Sequence, residues 1–232
     1  MVKPRASGPV SPYLMPGFYD RALAEGRHRD IVGGRWEETG EAQMRLLIEA
    51  GLQPGHRVLD IGAGSLRLGC LLVPWLEAGN YWATDLSGAL MRRGWEEELA
   101  DKSRLPLHHL VEDGDFAFPG LPDDFDLAIC FAVFTHLPPG MTEAALARIG
   151  ARFPRLKRLL FTVFQAPEGV ESLRQRDGVV THASRPPWHV PPAQVAAMAR
   201  AAGFDARPLD TRLPRGQVLW LAEPASLPPQ MP

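Results

Sequence analysis

Apolar and polar positions fall into blocks along this chain, and the blocks change period in a regular order. Residues 57–61, 80–84, 107–111, 125–132 and 158–164 are short apolar-rich stretches bounded by Gly, Pro or charged residues, and they read as strands. Residues 125–132 are almost wholly apolar, as a strand buried on both faces must be. Helical spacing intervenes at 66–77, where Pro74 should bend or shorten the element, and from a Ser87 cap to about 100. It returns at 142–152 and at 192–202, which stops at Gly203. Strands joined through helices predict right-handed crossovers and a mostly parallel sheet. Residues 206–209 and 217–222 are separated by only a short turn around 213–216, so the last pair should be antiparallel.

Outside this rhythm lie two further regions. Residues 17–26 and 38–50 are helical by pattern, with Ala42, Leu46, Leu47 and Ala50 on one stripe and a stop at Gly51. Gly33 and Gly34 between them mark a hinge, and residues 17–50 are expected to form a helical lid or extension. Residues 165–190 have no clear period and several charges, and read as a long irregular insertion on the substrate side. Residues 1–16 and 224–232 are expected to be a flexible tail and a Pro-rich tail around a domain spanning 51–223.

Composition narrows the classes. A formal charge of −2 offers no electrostatic case for nucleic acid or an anionic membrane. Lys occurs only at 3, 102 and 157 while Arg and Pro abound, the usage of a high-GC bacterial genome. Cys70 and Cys130 both stand in apolar stretches and read as small buried hydrophobes. No apolar run is long enough to span a membrane and the N-terminus lacks a signal-peptide core, so a cytoplasmic, reduced setting is expected. His108 and His109 are adjacent on a predicted strand and should point oppositely, and no metal site is expected.

The chemistry concentrates in Val58-Leu-Asp-Ile-Gly-Ala-Gly-Ser-Leu-Arg-Leu-Gly69, a strand running into a glycine turn that opens a helix. Such turns sit at the carboxyl end of the first strand, where adenine-containing cofactors bind. A nicotinamide turn wants G-x-G-x-x-G, but counting from Gly62 the sixth position is Arg67. Here Asp60 precedes the first glycine by two, giving D-x-G-x-G. A second acid, Asp85, closes strand two 21 residues beyond Gly64, the spacing of an acid that grips ribose hydroxyls.

With Glu112-Asp113-Gly-Asp115 after strand three, the stretch from Asp124 to His136, and Ala199-Arg-Ala-Ala-Gly-Phe204, these features make residues 51–222 resemble the class I S-adenosylmethionine-dependent methyltransferases. The resemblance implies an α/β, Rossmann-like, seven-stranded, mostly parallel sheet with a final antiparallel strand and helices on both faces. It implies S-adenosylmethionine as methyl donor and S-adenosylhomocysteine as product. Asp60, Gly62, Ala63 and Gly64 would meet the methionyl part, and Arg67 the donor's carboxylate, unless it is simply an exposed helix arginine. Asp85 would meet the ribose, and Asp113, Gly114 and Asp115 the adenine side, with Asp113 and Asp115 not distinguished; Leu86 and Phe131 are further cofactor contacts. One departure stands out: the family often carries a third glycine where this chain has Leu66.

Methyl transfer from a sulfonium needs positioning and desolvation, and a base only for a protonated acceptor. His136, after strand four, is the candidate base or substrate contact. Thr135, Trp36, His182, Trp188 and His189 are candidate acceptor contacts. No Asn/Asp-Pro-Pro-Tyr/Phe follows strand four, which argues against base and glutamine nitrogens as acceptors. The expectation is methylation of a small molecule, with no nucleic-acid or membrane partner; oligomeric state is not legible. The competing readings are a non-catalytic binder of the methyl donor, a macromolecule methyltransferase and, less favoured, a nicotinamide oxidoreductase.

Overall fold

The computed structural model describes residues 11, 13, 15, 17–211 and 213–225. Most of the expected tail at 1–16 and nearly all of the Pro-rich tail at 224–232 lie outside the described residues. The chain opens with α1 (Asp20–Ala24), α2 (His28–Ile31) and α3 (Trp36–Glu49). Then follow β1 (Val58–Ile61), α4 (Gly69–Trp75), β2 (Tyr81–Asp85), α5 (Gly88–Glu97), β3 (Leu110–Glu112) and β4 (Leu127–Cys130). The second half holds α6 (Pro139–Arg152), β5 (Arg158–Gln165), β6 (Ser172–Arg174), β7 (Val180–His182), β8 (His189–Val190), α7 (Pro192–Ala201), β9 (Phe204–Pro208) and β10 (Val218–Pro224).

The main sheet runs β3-β2-β1-β4-β5-β10-β9. Strands β1 to β5 pair parallel, and β10 is antiparallel to both β5 and β9. This is the expected doubly wound architecture, with β8 as an eighth strand added in parallel to the end of β5. Alternate side chains of the central strands serve two cores. Leu59, Ile61, Ala128 and Cys130 pack with α6 and α7, while Val58, Leu127 and Ile129 pack with α3 and α4. Both faces are covered, which is why these strands are apolar at nearly every position.

Four local expectations need correction. Helix α4 begins at Gly69 rather than 66, because residues 62–66 are consumed by the turn. Residues 107–109 form a 3-10 turn and the strand starts only at Leu110, so His108 and His109 are not strand neighbours facing opposite ways. Their rings lie 4.5 Å apart, and His109 stacks at 3.6 Å on Trp82. Helix α6 opens at Pro139, not Thr142; a proline suits the first helical position because the N–H it lacks would have no intrahelical partner. Residues 165–190 are not irregular: β6 and β7 form an antiparallel hairpin and β8 returns to the main sheet. Strands of two or three residues are too short to display a period.

Candidate functional site

The carboxyl ends of β1, β2 and β4 open into a cavity of about 180 Å³. Its floor is the turn at residues 62–66. Gly62 and Gly64 take left-handed φ angles of 76° and 58°, which an L side chain resists. Their neighbours fix the turn: the N–H groups of Gly62 and Ala63 donate to the Thr84 carbonyl at 2.7 and 3.0 Å, and that of Gly64 to Asp85 Oδ2 at 2.9 Å. Leu66, standing where a third glycine is common, is itself left-handed at φ 62°. That conformation costs a Leu about 1–2 kcal/mol, a cost the full burial of its side chain can offset. Gly69 has a different role: a Cβ there would come within 2.9 Å of the Tyr81 hydroxyl, which donates to Asp60 Oδ2 at 2.8 Å.

Two buried carboxylates face this cavity. Burial pushes Asp60 up to about 7, with Asp85 adding to the rise and the Tyr81 hydroxyl and Arg67 opposing it. Burial likewise raises Asp85 to about 6, against the N–H groups of Ser87 and Gly64. Each Asp85 oxygen accepts one of those backbone donors at 2.9 Å, leaving lone pairs for hydroxyls. Arg67 is brought down to about 10 by burial. It makes no ion pair among the described residues and donates instead to the carbonyls of Val32 and Gly34 at 3.1 and 3.2 Å.

The remaining cofactor candidates divide. Leu86, Asp113, Gly114 and Phe131 line the cavity, together with Phe116. Asp113 is also the anchor of its own loop, accepting from the N–H groups of Asp115, Ala117 and Phe118 at 3.2, 3.1 and 2.9 Å. Asp115 is exposed and does not line the cavity.

At the far end the structure assembles groups that lie far apart in sequence. His136 lines the cavity with its ring 4.5 Å from that of Tyr13. Burial and Arg215 bring His136 down to about 4, so its imidazole is neutral at neutral pH. Tyr13, Tyr19, Arg215 and Gln217 also line this cavity, and sequence reasoning missed all four. The short turn around 213–216 advertised a strand connection and nothing more.

The other acceptor candidates are elsewhere. Trp36 stands outside the cavity under the Arg29 guanidinium, 5.0 Å from its ring. Buried Thr135 donates its hydroxyl to the Ala132 carbonyl and accepts the Trp188 N–H at its own carbonyl. His182 bonds to Ser172 at 2.7 Å, and His189 to Thr181 and the Val170 carbonyl at 2.9 and 2.8 Å, tying the hairpin to β8. These rings hold the hairpin together and do not line the cavity. Among the described residues no His, Cys, Asp and Glu cluster could hold a metal ion, and no helix is long and apolar enough to cross a membrane.

The N-terminal segment forms one wall. Residues 31–35 cross the glycine turn, and a Cβ on Gly64 would come within 2.6 Å of Val32 Cγ1. Arg67 grips two carbonyls of this strap and Arg215 Nη2 a third, that of Gly33, at 2.8 Å. Helix α2 is moored to α5: His28 Nε2 meets Glu98 at 2.6 Å, and Arg29 makes a forked pair with Glu98 at 2.7 Å. Ser65 adds a hydroxyl bond to the His28 carbonyl at 2.8 Å.

No family model matches the sequence. Solved structures do share the fold. The 1,6-didemethyltoxoflavin-N1-methyltransferase of Burkholderia thailandensis, with 1,6-didemethyltoxoflavin and S-adenosylhomocysteine bound, is 22% identical, with TM-score 0.61 and 94% of each chain covered. Magnesium protoporphyrin IX methyltransferase of Synechocystis, with S-adenosylmethionine bound, is 17% identical, with TM-score 0.59 over 91% of this chain and 93% of that one. The glycopeptide N-methyltransferase MtfA is 17% identical, with TM-score 0.57 over 80% of this chain and 90% of its own. The chain therefore has the class I S-adenosylmethionine-dependent methyltransferase fold.

Proposed function

We propose that this protein is an enzyme that transfers a methyl group from S-adenosylmethionine to a small-molecule acceptor. The observation that carries the reading is the pair of buried carboxylates, Asp60 and Asp85, on one glycine-floored cavity. Asp60 is desolvated with the Tyr81 hydroxyl as its side-chain partner and, among the described residues, has no cation within ion-pair distance; the methionyl ammonium supplies one. Asp85 holds lone pairs where two ribose hydroxyls can donate. Leu86, Phe116 and Phe131 offer an apolar berth for adenine, and Gly114 lets its loop approach. Arg67 takes the donor's carboxylate while keeping its hold on the strap. Residues 17–50 act as the lid of a domain spanning 51–223. The 165–190 segment buttresses the acceptor end through Trp188 and Asp177 rather than lining it. The free thiols of Cys70 and Cys130 fit a reducing compartment such as the cytoplasm.

Bound in this cavity, S-adenosylmethionine supplies an electrophilic methyl whose thioether leaving group needs no acid. The chain's own contribution is to orient the two reactants and exclude water. His136, held near 4, is too weak a base to remove a proton from an ordinary hydroxyl at neutral pH, and serves as a neutral contact. Turnover at saturating methyl donor should therefore show no limb from this histidine between pH 5.5 and 8. His136→Gln should lower it by less than about tenfold, whereas loss of a general base costs about 100-fold or more. A limb near pH 6.5 that vanishes in the variant would restore the base.

Thermal unfolding tests the donor site directly. Saturating S-adenosylhomocysteine should raise the midpoint by several degrees, roughly 5–11 °C at 100 times its dissociation constant. NADH should do nothing, and Asp85→Ala should abolish the rise. A rise with NADH alone would overturn the reading.

A further inference from the structure

The cavity's charges are segregated. Its three acids, Asp60, Asp85 and Asp113, all belong to the residues assigned to the methyl donor. The opposite end is lined by neutral Tyr13, His136 and Gln217, by Val133 and Leu137, and by the cation Arg215; the cavity's other cations are Arg67, assigned to the donor, and Arg35, which pairs with Glu38 at 3.8 Å on the strap. Arg215 is held there deliberately by the local fold. Its backbone is left-handed at φ 63°, an uncommon state for a residue with a side chain. Its N–H donates to Asp177 Oδ2 at 2.8 Å, and its Nη2 to the Gly33 carbonyl at 2.8 Å. Among the described residues its guanidinium forms no ion pair, so most of its donors are uncommitted. It stands close enough to both Tyr13 and His136 to oppose positive charge on the imidazole and favour negative charge on the phenol.

A forked cation at the rim of a chamber walled by flat rings selects for charge and shape together. The guanidinium fork matches a carboxylate, which it can bind through two parallel hydrogen bonds. The Tyr13 and His136 rings, 4.5 Å apart and tilted by 58°, form with Val133 and Leu137 an apolar corner, against one side of which a planar ring can lie. Gln217 is fixed behind them, its Oε1 accepting the Thr162 hydroxyl at 2.7 Å, which leaves its amide N–H groups for the ligand.

We infer that the acceptor is a planar aromatic carboxylate, its ring on the Tyr13–His136 wall and its carboxylate on Arg215. The inference rests on the methyl-donor reading above. It adds Arg215 as the residue that determines specificity.

The test uses the full chain saturated with S-adenosylhomocysteine, whose own thermal shift is recorded first. Binding of 2-naphthoate and indole-3-carboxylate is then compared with that of 2-naphthamide and indole-3-carboxamide, which keep shape and lose charge. The acids should bind about tenfold more tightly than the amides. Arg215→Gln should erase that preference, any loss through the released Gly33 carbonyl falling equally on acids and amides, and Arg215→Lys should retain part of it. A merely structural Arg215 would weaken acids and amides alike. Equal binding of acid and amide, a preference that survives Arg215→Gln, or no binding of any probe at millimolar concentration would overturn the inference while the S-adenosylhomocysteine shift still stood. Loss of that shift in the unmodified protein would instead remove the methyl-donor reading, and this inference with it.

Discussion

Asp60→Asn should make the free protein more stable and almost unable to bind S-adenosylhomocysteine. Asp60 is 2% exposed and is pushed up to about 7, so a folded chain at pH 8 bears the cost of a desolvated charge. The sign follows from proton linkage. A carboxyl whose folded pKa exceeds its unfolded value binds its proton more tightly when folded. Stability is therefore greatest below the unfolded value near 4, falls as pH rises towards about 7, and is level above it. The cost is on the order of 2–4 kcal/mol, and removing it at pH 8 should raise the midpoint by roughly 4–16 °C. The same charge is what holds the ammonium. Removing one partner of a buried pair costs about 3–5 kcal/mol, a loss of at least about 100-fold in affinity. In the unmodified protein, affinity should tighten between pH 6 and 8 as Asp60 ionises. In the variant that dependence should shrink to whatever Asp85, raised to about 6, contributes. Calorimetric titration and melting curves at pH 5 through 8 report both halves. A variant that melts lower at pH 8, or that binds as the unmodified protein does, would mean this carboxylate serves the fold and not the ligand.

That placement explains why the glycine-turn floor of the cavity was legible in sequence while its far end was not. Asp60, Gly62, Gly64 and Asp85 are tied to strand ends, and strand ends follow from continuous apolar runs that burial on both faces requires. A buried acid two residues before a glycine turn breaks the local rule for a strand, which makes it visible. The acceptor wall has no such grammar. Tyr13, Val133 and the Arg215–Gln217 stretch arrive from three separate segments, and only the closure of β10 between β5 and β9 and the strap at 31–35 brings them together. Histidine was a poor guide for the same reason. His182 and His189 stood out chemically, yet His182 Nδ1 is engaged by Ser172, and both nitrogens of His189 by Thr181 and the Val170 carbonyl. His108 and His109 misled because a 3-10 turn of three residues imitates the start of a strand. The Leu66 departure left the turn intact, since burial of the side chain can offset a left-handed backbone, and Gly69 is needed to admit the Tyr81 hydroxyl.

Gly94→Ala is expected to damage both stability and the methyl-donor turn, although Gly94 touches no ligand in this reading. In an ordinary helix position the change would be favourable by about 1 kcal/mol. Here α5 packs its backbone against the glycine turn, and a Cβ on Gly94 would fall 2.1 Å from the Ser65 carbonyl oxygen and 2.4 Å from its carbon. Those are backbone atoms, so no rotamer change relieves the contact; the helix must retreat or the turn must move. Overpacking of this kind costs about 1–3 kcal/mol and sometimes more, and α5 has little freedom. Its start is fixed by Ser87, whose side chain accepts the Leu90 N–H at 3.2 Å two residues beyond Asp85. Ser65 is bound in turn to the His28 carbonyl. Displacing Ser65 therefore carries Gly64 away from Asp85 Oδ2 and loosens the strap in the same motion. The midpoint should fall by roughly 2–12 °C, with S-adenosylhomocysteine affinity down about tenfold or more. Gly140→Ala is the matched control: it also lies in a helix, nothing stands within 4 Å of its added Cβ, and it should leave both measurements at or above their starting values. If Gly94→Ala behaved like that control, the contact between α5 and the turn would not be what sets the geometry of Gly64 and Asp85. If stability fell while affinity held, the helix would be the part that yields, and the turn would keep its shape through the Thr84 and Asp85 hydrogen bonds alone.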